Sequence, residues 1–322
     1  MTEPVLQLAA VAHTFGRGGR ARTALDGVDV RLAPGEALGI VGESGSGKST
    51  LARIACGLLR PGGGRVLLEG EPLRGPDRRI QPLFQDPLQS FDPRWTVGAS
   101  IGEGLPAAGR KGAGRVADIL AAVGLAPDLE HRLPRACSGG QLQRAAVARA
   151  LAAAPAVLVA DEPTAALDPP AAAQICALLL DLRARGLAIL YLGHDLGLAR
   201  QLCGRMAVLY RGRLVESGAS AALWERPAHP YTRLLWDAVA SGARGPAPEP
   251  PAGWPSLESS PAWDGCRFAP RCPHARPACR VEPPLRPLPT PGHAVACHRA
   301  EDLAPWRAGA ASDSGQFPAG GG

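Results

Sequence analysis

The chain has 322 residues and a mass of 33.3 kDa, which gives room for one sizeable α/β domain and a smaller appendage. Hydrophobic residues make up 46% and aromatics only 4%, so a core has to be assembled from Ala, Leu and Val. The net charge of +6 comes from scattered arginines and does not choose between nucleic acid, an anionic membrane surface and a nucleotide. No apolar run is long enough to cross a bilayer: the best candidate, residues 145 to 160, is interrupted by Arg149 and Pro155. The N-terminal MTEPVLQLAAVAHTF has no basic stretch followed by an apolar one and a cleavage site, so export is not expected. Eight cysteines are then expected to be reduced or metal-bound rather than disulfide-paired.

Residues 4 to 34 alternate loosely between apolar and polar and predict antiparallel strands. Phe15 falls in a polar turn region, where it either stacks on a base or packs under a loop. The apolar run Ala37 to Val41 predicts a short buried strand leading into Gly42-Glu43-Ser44-Gly45-Ser46-Gly47-Lys48-Ser49-Thr50, and a helix pattern follows from Ser49 to Leu59. This stretch fits G-x-x-x-x-G-K-[ST] in its strand–loop–helix context. Glycines 42, 45 and 47 let successive N–H groups point inward at phosphates, and the helix N-terminus adds partial positive charge. Lys48 supplies a compact ammonium for the β- and γ-phosphates, and the Ser49 hydroxyl can ligate Mg²⁺. Lys48 and Lys111 are the two lysines of the sequence, so a lysine here marks a position that the planar guanidinium fork does not suit.

The segment RPGGGRVLLEGEPL predicts a turn and hairpin, and Leu83-Phe84-Gln85-Asp86-Pro87 a short strand ending on the amide of Gln85. Residues 96 to 150 carry helical periodicity with Gly/Pro breaks and predict a helical subdomain. Within it, Ser138 is a candidate N-cap, and Gly139-Gly140-Gln141 leave backbone N–H groups open to an anion. A buried strand at 156 to 160 ends on Asp161-Glu162, where open α/β sheets bind ligands. Asp161 can hold the Mg²⁺ hydration shell and Glu162 can polarise a water. Asp168 precedes a helix over 169 to 185, and a strand over 187 to 192 ends at Gly193-His194-Asp195.

Taken in order, GESGSGKST, Gln85, CSGGQ, LVADEP, AALD and Gly193-His194-Asp195 resemble the motifs of ATP-binding cassette ATPases over about residues 5 to 235. The resemblance implies a P-loop NTPase (RecA-like) α/β core with an antiparallel β subdomain, a helical signature subdomain and a small Cys-containing C-terminal extension. It also implies a head-to-tail dimer that sandwiches two ATP. By position, Phe15 would stack on adenine, and Gly42 to Thr50 would bind the nucleotide. Ser49, Gln85 and Asp161 would hold Mg²⁺, with Glu162 as general base, His194 as γ-phosphate sensor and Gln85 also counted in the catalytic set. Ser138, Gly139, Gly140, Gln141 and Asp168 would meet ATP on the opposite subunit. Cys137, Leu142 and Gly193 depart from the residues the family more often carries, without removing a phosphate ligand. A soluble nucleic-acid-associated cassette ATPase is the alternative, and the absence of a coiled-coil insertion or a second phosphate loop counts against it.

FQDPLQSFDPR, AHPYTRLL and the cysteine-rich tail resemble the ATPase subunits of dipeptide, oligopeptide and nickel importers. These imply a second ATPase subunit, two membrane permeases, an extracytoplasmic solute-binding protein, no nucleic acid, and a place at the cytoplasmic face of the plasma membrane. The expected division is a nucleotide-binding domain over 1–240 (helical part about 86–150), a Pro/Gly/Ala-rich linker over 241–262, a cysteine region over 263–300 and a disordered tail over 301–322. The tail cysteines Cys266, Cys272, Cys279 and Cys297 lack the paired C-x-x-C spacing of zinc ribbons and the common ferredoxin spacing. One [4Fe–4S] cluster, which the resemblance implies for some members, zinc with His274, His293 and His298, and free thiols all stay open. Cys56, Cys137, Cys176 and Cys203 read as packing residues.

Overall fold

The computed structural model describes residues 3–16, 18, 21–105, 115–240 and 265–303. The linker over 241–262 and the tail from 304 on, both expected from the sequence, lie outside the described residues. The chain divides into two compact units, Met1–Leu214 and Val215–Gly322, so residues 215 to 240 group with the C-terminal unit.

In the first unit, β1 (Leu6–Phe15) and β2 (Arg22–Leu32) pair antiparallel, as the loose alternation of residues 4 to 34 predicts. The next strand, β3 (Ala37–Val41), is buried at all five positions. Continuous apolar sequence of this kind suits a strand covered on both faces in a parallel sheet. It leads into α1 (Lys48–Ala55), which is shorter than its periodicity suggests. Gly57 adopts a φ of 70°, and the N–H groups of Leu58 and Leu59 both turn back to the Arg53 carbonyl, which closes the helix.

The predicted hairpin is β4 (Gly63–Leu68) with β5 (Glu71–Pro72), and it completes the antiparallel sheet in the order β2-β1-β4-β5. The following strand, β6 (Ile80–Leu83), ends two residues before Gln85, earlier than the sequence suggests. The helical part comprises α2 (Val97–Gly104), α3 (Arg115–Ala122) and α4 (Gly139–Ala152), with two short 3-10 turns at Pro127–His131 and Pro134–Ala136. The remaining elements of this unit are β7 (Val157–Asp161), α5 (Pro169–Ala184), β8 (Ala188–Gly193), α6 (Leu196–Leu202) and β9 (Arg205–Tyr210).

Strands β9-β3-β8-β7-β6 lie side by side in that order, and neighbouring strands among them pair parallel. Because β3 sits between β8 and β9, the chain changes direction across the sheet there. A crevice at the C-terminal ends of the strands is the usual ligand position in such sheets. One core cluster joins the antiparallel sheet (Leu8, Val28, Val66), α1 (Leu51, Ile54) and the parallel sheet (Ile40, Val159, Leu190). Burying a side chain of this size contributes roughly 1.5–3 kcal/mol, so this cluster holds the strand ends in place.

The second unit contains β10 (Arg213–Ala219) from Val215 on, α7 (Ser220–Glu225), α8 (Pro230–Ala240), β11 (Arg286–Pro287) and β12 (Ala294–Val295). β12 pairs antiparallel with both β10 and β11. Glu216 on β10 is fully buried and accepts three N–H donors: the backbone of Ala228 at 2.7 Å, the backbone of His229 at 2.9 Å and His293 Nε2 at 2.7 Å. These bonds offset the cost of burying a carboxylate.

Candidate nucleotide site

Three strand ends build the site. The loop after β3 supplies Gly42 to Thr50, the end of β7 supplies Asp161 and Glu162, and the end of β8 leads into His194. Two glycines are required by their surroundings. A Cβ at Gly42 would lie 2.2 Å from the Leu209 carbonyl oxygen, and one at Gly47 would lie 2.5 Å from that of Ala24. Gly47, at φ 113°, is the N-cap of α1 and provides no side-chain cap, so the first N–H groups of that helix are left for an anion.

Lys48 is buried, and its Nζ donates to the carbonyls of Gly42 at 2.8 Å and Glu43 at 2.9 Å. The same Nζ lies 3.7 Å from Glu162 Oε1. Burial lowers the Lys48 pKa, while Glu162 and Asp161 oppose that shift. Glu162 is also 3.2 Å from His194 Nδ1 through its other oxygen, Oε2. The hydrogen bond from His194 holds the Glu162 carboxyl below its ordinary range, and the same contact raises His194. Glu162 sits at a φ of 49°, a strained region for a non-glycine residue, and its N–H is fixed to the Leu192 carbonyl at 2.8 Å.

Asp161 is buried, and burial raises its pKa against the lowering effect of a hydrogen bond from Ser49. Among the described residues, Asp161 Oδ1 is buried without a hydrogen-bond partner. An orphaned carboxylate oxygen beside a serine hydroxyl is a hard-oxygen donor set, and these residues fit Mg²⁺. Ser46 is buried, Glu43, Gly47 and Thr50 are half-buried, and Ser44, Gly45 and Ser49 are exposed along the loop. Gln85 is exposed beyond β6. Phe15 is 44% exposed with its ring edge-on to His13 at 4.6 Å, so it is not packed into the core.

Ser138 caps α4 in a reciprocal box with Gln141: Gln141 N donates to Ser138 Oγ at 3.2 Å, and Ser138 N donates to Gln141 Oε1 at 2.9 Å. Gly139 follows in the exposed first turn, and Gly140 packs where a Cβ would meet that of Ala171 at 2.8 Å. Asp168 caps α5, accepting from Ala171 N at 2.8 Å. Among the described hydrogen bonds and ion pairs, none links residues 138–141, or Asp168, with the Lys48–Glu162 group.

Two side chains of α4 escaped the sequence reading. Gln143 is fully buried and donates from Nε2 to the Pro163 carbonyl at 2.8 Å, one residue past Glu162. Arg149 donates to the Ser90 carbonyl, with its guanidinium carbon 5.5 Å from the centre of the Phe91 ring. A polar amide at an otherwise apolar helix position was the available signal for Gln143.

In the second unit, Cys266, Cys272, Cys279 and Cys297 line one small cavity with His229, His274 and His298. Burial pushes the Cys266 thiol to about 11 and Cys272 to about 12, which opposes the thiolate a metal needs. Among the described residues, no group of three or more His, Cys, Asp or Glu is arranged to hold a metal ion. His293 is taken by Glu216. Neither the expected [4Fe–4S] cluster nor the zinc alternative is supported, and none of the eight cysteines is disulfide-paired. Cys56 and Cys203 are buried, and Cys137 and Cys176 half-buried.

Comparison with known proteins agrees with this geometry. Residues 25–165 match the ABC transporter family, and residues 215–279 match the C-terminal region of oligopeptide/dipeptide transporters. A peptide import ATP-binding protein of Brucella abortus is 44% identical over 294 residues, covering 85% of this chain and 86% of that one. Two solved structures align with a TM-score of 0.59. One is cbiO1 of Clostridium perfringens, part of the ABC transporter complex cbiONQ, at 29% identity over 69% of this chain and 90% of that one. The other is the dimeric cassette MJ0796 bound to ADP and Pi, at 30% identity over 67% and 98%. The fold and the site define a P-loop ATPase cassette. The chain belongs to the ABC transporter family, as one of its ATPases. The nucleic-acid alternative gains no support from any of these relatives. Among the described residues, no helix is long and apolar enough to cross a membrane.

Proposed function

We propose that this chain is the ATP-hydrolysing subunit of a peptide importer. The observation that carries the reading is the position of the Glu162 carboxylate, between Lys48 Nζ at 3.7 Å and His194 Nδ1 at 3.2 Å at the ends of three adjacent strands. Lys48 and the open N-terminus of α1 bind the β- and γ-phosphates, and Phe15 supplies an exposed ring for adenine. Ser49, Asp161 and Gln85 would hold Mg²⁺, which would supply neutralising charge for the transferring phosphoryl group. Glu162, kept ionised by His194, orients the attacking water and takes its proton.

The exposed caps at Ser138 and Asp168 meet nucleotide bound to a second ATPase subunit, so two chains complete each site. The importer further contains two membrane permeases and receives its peptide from an extracytoplasmic binding protein, with this chain on the cytoplasmic side. The C-terminal match and the name of the Brucella relative support peptides as cargo. The test is MgATP hydrolysis by the assembled complex carrying Glu162→Gln. ATP binding is retained and turnover falls by about 10²–10⁴-fold, and wild-type turnover would refute the assignment. Peptide uptake into vesicles containing the complex checks the cargo.

A further inference from the structure

The strand that delivers His194 ends in an unusual pairing of a large residue with the smallest one. Tyr191 and Gly193 lie two apart on β8, on the same face, and both are buried. A Cβ added at Gly193 would stand 2.3 Å from the Tyr191 hydroxyl oxygen and 2.6 Å from Cζ. The phenol therefore occupies the volume that a side chain at 193 would fill. Its Oη also donates to the Asp195 carbonyl at 3.3 Å. Asp195 in turn caps α6, accepting from Leu198 N at 2.9 Å through Oδ1. One side chain thus braces the backbone on both sides of His194.

Magnitudes decide which contact matters more. A hydrogen bond of 3.3 Å is long for a hydroxyl donor, whose usual range ends near 3.0 Å. A 2.3 Å approach to a Cβ is far inside contact distance, so a methyl group at 193 forces the ring or the strand end to move. The strand end has little freedom, because the Leu192 carbonyl accepts the Glu162 N–H at 2.8 Å. Any displacement at 193 is passed to the His194–Glu162 contact.

We propose that Tyr191 is a positioning residue for hydrolysis, its hydroxyl packing over Gly193 and bracing the Asp195 carbonyl so that the His194 imidazole stays on Glu162. This rests on the reading of Glu162 and His194 as hydrolytic residues. The experiment is a double-mutant cycle on the assembled complex, with kcat and KM for MgATP measured together with thermal unfolding. Gly193→Ala lowers kcat at least tenfold with KM within about twofold. In the Tyr191→Leu background, where the ring is gone, the same Gly193→Ala change costs less than half as much on a logarithmic scale. Tyr191→Phe, which removes only the hydroxyl, lowers kcat several-fold.

Equal effects of Gly193→Ala in both backgrounds would overturn the proposal, as would a fall in melting temperature with kcat unchanged. If Gly193→Ala does not fold, unchanged kcat in Tyr191→Phe overturns it alone. Glu162→Gln separates the two layers. Inactive Glu162→Gln with an additive cycle removes only the role of Tyr191, whereas active Glu162→Gln removes both readings.

Discussion

His194 Nδ1 lies 3.2 Å from Glu162 Oε2, and each group shifts the other toward its charged form. The carboxylate therefore keeps its negative charge beside Lys48 and is ready to accept a proton. His194→Ala removes that support and leaves the Lys48 hydrogen bonds to Gly42 and Glu43 in place. Turnover then falls by about 10²-fold, while the dissociation constant for MgATP changes by no more than severalfold. Stopped-flow or steady-state phosphate release, alongside a nucleotide titration, measures both.

Lys48→Ala has the opposite profile. The ammonium is buried among loop carbonyls, and removing it leaves the Gly42 and Glu43 oxygens without their donor and the phosphates without their cation. Nucleotide binding weakens by at least tenfold, which corresponds to a loss of about 1.4 kcal/mol or more. Equilibrium binding of a fluorescent ATP analogue provides the measurement.

How far the sequence reveals this site depends on how local each constraint is. The phosphate loop is legible because its glycine spacing is a local pattern, although the carbonyls that require glycine at 42 and 47, those of Leu209 and Ala24, come from elsewhere in the chain. The Asp161-Glu162 pair is legible because four consecutive buried apolar positions, Val157 to Ala160, lead into it. The end of α1 is not, since apolar periodicity continues to Leu59 while Gly57 turns the backbone away. Contacts such as Gln143 to Pro163, or Tyr191 over Gly193, depend on side-chain packing that no local period encodes. The four tail cysteines illustrate the reverse case. Their number suggests a metal, but burial raises the Cys266 and Cys272 thiols, and among the described residues no group of three or more His, Cys, Asp or Glu is arranged to hold a metal ion.

Gln143 offers a test of how the helical part supports the catalytic turn. Its amide donates to the Pro163 carbonyl, and replacing it with the similarly sized Met removes that donor from a buried acceptor. Gln143→Met costs about 1–3 kcal/mol in stability. Because Pro163 follows the strained Glu162, kcat falls as well, while KM for ATP is held by the Lys48 loop. Urea denaturation gives the first quantity and steady-state kinetics the second.

The second unit carries its own dependence on pH through His229. This residue is 1% exposed, and its Nδ1 accepts the Tyr231 N–H at 3.0 Å, so the ring must be neutral at that nitrogen. Burial lowers its pKa to about 4, despite the opposing pull of Glu216. The folded value lies below the ordinary 6.5, so protons bind the unfolded chain first as the solution is acidified. Stability from the neutral ring is fully present above pH 6.5, declines as pH falls, and is exhausted near pH 4. At pH 5 the deficit is roughly 2 kcal/mol. Urea unfolding followed by tryptophan fluorescence reports on this unit through Trp224 and Trp236, whose rings lie 5.0 Å apart. His229→Gln, which retains an acceptor for the Tyr231 N–H but cannot titrate, loses that component of the pH dependence. An unchanged slope between pH 7.5 and 5 in this variant would show that the acid sensitivity arises elsewhere.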